Sequence, residues 1–257
     1  MKIVTLATDE RSRLLRLLDE RDVGDALACY YAIHHAASRV HLSGALSPEG
    51  GLAGFLARAQ TGQDLFRPLV TGRAPDFPTL SALVQSALAP GQPLYFSLPM
   101  VNASWARALV DSASQARLRL YVLRREAFAP VVNILVTRTT SPDGLPRYEI
   151  RVGERLLAAA GLNWRSLAFA EVFVHTDPEV RERGHGRSVV AALCLELLEA
   201  GCTPLYAADE ASPGSQRLAE SVGFSDSGQR EFVCTGTLRP TAVAASTSPH
   251  AEGTADG

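Results

Sequence analysis

The chain of 257 residues has one lysine, Lys2, so almost all of its 25 basic groups are arginines. Guanidinium groups stay charged and meet phosphate oxygens in pairs. A basic excess is missing: the formal net charge is −2, which does not draw a protein onto nucleic acid or an anionic membrane, so any polyanion must be bound locally. No strip of interleaved aromatic and basic residues appears, and nucleic acid is not an expected partner. No apolar run reaches the eighteen residues of a membrane span, and no membrane association is expected. The start, Met1 to Glu10, is too short and turns acidic too soon for a signal peptide, so a cytoplasmic location is expected. The four cysteines, Cys29, Cys194, Cys202 and Cys234, show no C-x-x-C spacing, and His34-His35 has no partner at helical spacing. Neither a metal site nor a disulfide framework is expected. Two phosphate signatures are also absent, G-x-x-x-x-G-K-[ST] and G-x-G-x-x-G.

What is present is an alternation of strand-length apolar runs with amphipathic stretches, the pattern of an α+β fold of α/β layers with helices flanking a central sheet. In a first block, helices are expected at Ser12 to Leu18, Asp25 to Ala37, Thr79 to Leu88 and Ala103 to Asp111. Its strands are expected at Val40 to Ser43, Leu52 to Arg58, Leu65 to Thr71, Pro93 to Leu98 and Leu118 to Leu123. In a second block, strands are expected at Tyr148 to Arg151, Arg155 to Ala160, Phe169 to His175, Leu205 to Ala208 and Arg230 to Cys234, with helices from Gly186 to Ala200 and Gly214 to Ser221. Pro93-Leu94-Tyr95 and Pro204-Leu205-Tyr206 lie 111 positions apart, and the same offset pairs Ser104 with Ser215 and Ala108 with Ala219. This suggests an internal duplication. The expected division is a domain at 1–127, a second at 128–236, and a disordered tail at 237–257, whose Thr, Ala, Ser, Pro and Gly cannot bury enough surface to order themselves.

One segment carries chemistry. The strand Phe169 to His175 is followed by Thr176-Asp177-Pro178-Glu179-Val180 and then by Arg181-Glu182-Arg183-Gly184-His185-Gly186-Arg187-Ser188, which opens an apolar helix. Gly184 and Gly186 let consecutive N–H groups turn toward one point, the helix N-terminus adds partial positive charge, and Arg181, Arg183 and Arg187 add full charges. A pyrophosphate fits that cradle. In the first block, Thr71 to Asp76 stands where this loop would be.

The loop resembles the [RQ]-x-x-G-x-[GA] signature of the GNAT superfamily of N-acetyltransferases. Pro178 three residues upstream, Pro204-Leu205-Tyr206 downstream, and the segment Ser212 to Phe224, similar to N-x-x-[AS]-x-x-L-[YA]-x-x-x-G-F, extend the likeness over roughly residues 145–236. The resemblance implies a GNAT-like mixed sheet, with the first block a degenerate GNAT-like half. It implies acetyl-CoA as co-substrate, held by Arg181, Glu182, Arg183, Gly184, His185, Gly186, Arg187, Ser188 and Ser215, with the pantetheine arm pairing to Phe173, Val174 and Thr176. It further implies transfer of the acetyl group to a primary amine, on a small molecule or a protein, by direct attack on the thioester. Such an amine must lose a proton from a group of pKa around 10. Glu171 is the first candidate base and His175 the second; for each, a structural role as a strand carboxylate or a polar strand end is the other reading. Ser212 and Ala219 replace the family's frequent Asn and Tyr, which leaves a second function open, a non-catalytic acetyl-CoA sensor or scaffold. Asn163-Trp164, read as a loop before the central strand, either lines the acceptor pocket or packs on the sheet. Tyr30-Tyr31 reads as core and surface of the second helix.

Overall fold

The structure is a computed structural model that describes residues 1–240 except Gln63 and Leu65. The stretch 241–257, most of the expected tail, lies outside the described residues, as does Leu65 at the start of an expected strand. Among the described residues, twelve strands form one sheet. In chain order they are β1 Lys2–Thr5, β2 Val40–Leu46, β3 Leu52–Ala59, β4 Leu69–Arg73, β5 Pro93–Pro99 and β6 Val110–Val122. They continue with β7 Val136–Thr140, β8 Pro146–Val152, β9 Arg155–Arg165, β10 Phe169–Thr176, β11 Thr203–Asp209 and β12 Ser225–Leu238. The α-helices are α1 Ala26–Cys29, α2 Phe77–Ala87, α3 Ala103–Leu109, α4 His185–Glu199 and α5 Pro213–Val222. The chain is thus α+β, with helices flanking a central mixed sheet.

The sheet order is β1-β2-β3-β4-β5-β12-β6-β11-β10-β9-β8-β7. Two neighbouring pairs are parallel, β4·β5 and β10·β11, and they occupy corresponding places in the two blocks. The final strands are exchanged: β12 pairs with β5 of the first block, and β6 pairs with β11 of the second. A long antiparallel ladder, from Ser225↔Val122 to Leu238↔Val110, joins them at the middle. No seam therefore separates the blocks within the sheet.

Three apolar cores sit against it. One packs α4, through Val189, Val190, Leu193 and Leu197, against Ala170, Val172 and Tyr206. Another packs α2 and α3 on β4, β5 and β12, and a third lies under residues 6–42. A fourth, smaller cluster spans the blocks, bringing Ala26, Tyr31 and Leu69 against Trp164, Phe169 and Leu205. It holds the first block's N-terminal segment over the face of β10 and β11 that lacks α4.

Several expectations change in detail. The helix expected at Ser12–Leu18 is a 3-10 segment at Thr8–Arg16, and the one expected at Asp25–Ala37 is the single turn α1 followed by a π turn at Tyr30–His34. β6 begins directly after α3, eight residues before the expected start, because its Asp111 to Ala116 stretch is polar and its pairing comes from β12. β12 runs to Leu238, two residues into the expected tail, where Leu238 is buried. Asn163 and Trp164 lie within β9 rather than a loop, since the hairpin to β10 turns at 166–168.

Candidate functional site

Glycine geometry makes the loop before α4. Gly184 takes a left-handed backbone at φ +80°, and Glu182 does so at φ +63°, a conformation that costs a non-glycine residue about 1 kcal/mol or more. The first turn of α4 carries no side-chain cap and no acidic residue, so its leading N–H groups face outward with the helix dipole behind them. Gly186 is pressed against its surroundings: a Cβ there would lie 2.8 Å from Thr176 Oγ1 and 2.9 Å from Leu218 Cδ1. His185 Nδ1 is buried without a partner. Arg181, Arg187 and Arg217 border the space in front, a cleft of about 680 Å³ also lined by Val174, Thr176, Tyr206 and Ser215. An uncapped helix, an orphaned ring nitrogen and arginines at the rim fit an anionic ligand such as the pyrophosphate of acetyl-CoA.

The cleft continues toward the sheet because β10 and β11 part. Their parallel pairing covers only Phe169↔Thr203, Ala170↔Pro204 and Glu171↔Leu205, yet β10 runs on to Thr176 and β11 to Asp209. A bulge against β9 falls at the same point, between Glu171 and Val172. Val174 and Thr176, on the face of α4, line the cleft. Phe173 faces away, its ring against Gly161, where a Cβ would lie 2.8 Å from the ring. The Tyr206 hydroxyl shares a 2.9 Å hydrogen bond with Ser215, and burial pushes its pKa up, so it stays protonated. Ser188 does not border the cleft; its hydroxyl donates to the Gly184 carbonyl (3.0 Å) and accepts from Asn133 (3.1 Å). Arg183 is exposed outside the lining.

Glu171 sits at the last paired position, on the opposite face. Asn163 Nδ2 donates to one carboxylate oxygen (2.7 Å) and Trp164 Nε1 to the other (2.6 Å), while the indole stacks on Tyr30 with centroids 5.4 Å apart. Burial raises the Glu171 pKa, against the pull of the two hydrogen bonds. The carboxylate borders a pocket of about 230 Å³ walled by Leu27, Tyr31, Asp64, Arg67, Leu69 and Tyr95 from the first block and by Asn163 and Trp164 from the second. A second carboxylate, Glu231 of β12, shares with Glu171 a much smaller cavity of about 20 Å³, and burial pushes its pKa up to about 7. His175 is exposed near the end of β10 and does not border the pocket.

Residues 148–231 match the family described as GNAT acetyltransferase. The C-terminal half carries a GNAT acetyltransferase domain. About nine-tenths of the chain shares the fold of solved GNAT proteins, at low identity. A GCN5-related N-acetyltransferase from Sphaerobacter thermophilus is 11% identical, with 93% of this chain and 96% of that one covered at a TM-score of 0.61. A tandem GNAT protein from the clavulanic acid biosynthesis pathway is 12% identical, covering 93% and 99% at a TM-score of 0.59. A Drosophila protein is 14% identical, covering 90% and 97% at a TM-score of 0.65. Among curated proteins, no relative matches the sequence.

The first half differs at the corresponding place. Its α2 connects the parallel pair β4·β5 as α4 connects β10·β11, but Asp76 caps it by accepting from Thr79 N at 2.8 Å, placing a carboxylate where α4 leaves N–H groups open. The sequence shows the loop, Ser215 and Glu171, and the structure gathers them around β10 and β11. The sequence does not show Tyr31, Leu69, Tyr95 or Glu231 as site residues. The only local hint is Glu231 itself, a lone carboxylate in the run Phe232-Val233-Cys234.

Proposed function

We propose that the protein transfers the acetyl group of acetyl-CoA to a primary amine. The observation that carries this reading is the parting of β10 and β11 at Glu171, with the arginine-rimmed cleft on one face of the sheet and the carboxylate-floored pocket on the other. Bound acetyl-CoA supplies an activated thioester whose thiolate, of pKa roughly 8.5 by analogy with cysteine, leaves with little help. The loop 181–187 and the start of α4 bind its pyrophosphate, and the unpaired edge of β10 beyond Glu171 offers backbone groups to the pantetheine arm.

The chain's own residues then manage the first of the two protons that an ammonium nitrogen loses on becoming an amide. A primary amine arrives as an ammonium of pKa around 10, and Glu171 takes the proton from its nitrogen onto a carboxylate oxygen. Desolvation raises the Glu171 pKa and so narrows the gap across which the proton moves. Asn163 and Trp164 hold the carboxylate aimed into the pocket. Tyr206, protonated on the cleft wall, offers an O–H donor that Ala219, fully buried, does not. The sensor reading draws its support from that same Ala219.

Calorimetric titration with acetyl-CoA, alongside a Gly184→Asp, Gly186→Asp double variant, tests the cofactor reading. Micromolar binding by the intact chain that disappears in the variant supports it, and no binding by the intact chain overturns it. An amine screen with Glu171→Gln as control then separates enzyme from sensor: thiol release that depends on both amine and Glu171 marks the enzyme.

A further inference from the structure

The first half contains a second cavity, of about 250 Å³, at the end of the β2·β3 hairpin. Its polar wall is made of Ser38, Arg39, His41, Arg58, Gln60 and Gln92, and among the described residues no carboxylate lines it. Several other arginines are neutralised by close acids, among them Arg73 by Asp25 at 2.7 Å, Arg138 by Glu196 at 2.8 Å and Arg155 by Asp177 at 2.7 Å. Here Arg39 and His41 form no side-chain hydrogen bond or ion pair among the described residues. Arg58 uses one N–H, on the Ala87 carbonyl at 3.2 Å. His41 and Arg58 are direct cross-strand partners, so they share a face with side chains about 5 Å apart at Cβ. Two basic side chains opposite one another are unfavourable when both are charged, unless an anion lies between them. Phe66, 85% exposed, stands at the rim as a free aromatic face.

We propose that this cavity binds a phosphate-bearing small molecule, with the phosphate held by Arg39, His41 and Arg58. Bidentate guanidinium contacts suit phosphate oxygens, the Gln60 and Gln92 amides supply neutral donors, and Phe66 offers a surface for a planar group on the ester side. The same stretch of chain also borders the pocket at Glu171. Gln60, Phe66 and Pro68 line this cavity, while Thr61, Asp64, Arg67 and Leu69 of the same segment line the pocket at Glu171. The inference stands on the first half alone and does not depend on acetyl transfer.

The test follows the imidazole NMR signals of His41 in the full chain during titration with inorganic phosphate and, separately, phenyl phosphate. Sodium chloride of matched ionic strength is the control, and the local readout distinguishes this site from the loop at α4. Saturable shifts of His41 with phosphate, weakened at least tenfold in Arg39→Ala at unchanged melting temperature, are expected. Phenyl phosphate binding more tightly than phosphate, with that advantage lost in Phe66→Ala, assigns the site to an ester; equal affinities assign it to free phosphate. Absence of a phosphate-specific shift up to about 20 mM, or an affinity read at His41 that is unaffected by both Arg39→Ala and Arg58→Gln, overturns the proposal.

Discussion

Asn163→Ala removes one of two donors that hold the Glu171 carboxylate, and its effect is readable without knowing the acceptor. The lost bond, 2.7 Å long, is to an ionised oxygen in a partly buried setting, where such a bond contributes roughly 1.5–3 kcal/mol. Asn163 borders the 230 Å³ pocket, so water enters behind the deleted amide and restores part of that stabilisation. A residue of about 1.4 kcal/mol corresponds to about one pKa unit. The sign is fixed: both hydrogen bonds favour the charged form, so deleting one moves the Glu171 pKa further up. The indole N–H of Trp164 reports it directly, since it donates to the other carboxylate oxygen and the chain has only two tryptophans to assign. Its proton shift, followed from pH 4 to pH 9, has its midpoint about one unit higher in the variant. Once an acceptor is in hand, the acid limb of kcat/KM moves by the same amount. A midpoint that stays put or falls refutes the account of Glu171 as a base whose pKa is set by burial against two hydrogen bonds.

Two further predictions concern the scaffold. Gly223 ends α5 at φ +108°, and a Cβ there would lie 1.9 Å from the Ala127 carbonyl oxygen; Gly223→Ala should cost about 3 kcal/mol and lower Tm by roughly 6–12 °C in a thermal melt, and a loss under about 2 °C sinks the argument. Glu196 is held at a pKa of about 2, chiefly by hydrogen bonds from Arg138 with help from the Tyr148 hydroxyl, so its contribution is present above the unfolded value near 4.5 and is lost as pH falls toward 2. Glu196→Gln should therefore destabilise the protein by about 1 kcal/mol at pH 7, with the gap to the parent closing between pH 4.5 and 2.5 in denaturant titrations; a gap that widens on acidification contradicts it.

The loop at α4 is legible in sequence because backbone geometry dictates its residue types. A left-handed turn and a close approach to Thr176 both call for glycine, and the uncapped helix behind them leaves a recognisable spacing. The exchanged strands are not legible, because the signal for pairing β6 with β12 lies more than a hundred residues apart and β6 itself is largely polar and exposed. β1 and β7, of four and five residues, are too short for their alternation to register. The pocket at Glu171 escapes for a related reason. Leu27 and Tyr31 fall in the helix expected at Asp25 to Ala37, and only the cluster around Trp164 and Leu205 brings them over the carboxylate.

The exchanged strands also bear on the order in which the molecule assembles. β5, complete at Pro99, finds its central neighbour only when Glu231 and the residues after it are made, so the first half cannot close its sheet while it emerges alone from the ribosome. Such distant pairing slows folding, and the ladder between β6 and β12 becomes a late step that knits both halves at once. The Glu171 pocket, with walls from both halves, and the small cavity it shares with Glu231 therefore come into being together, at the end of folding rather than half by half.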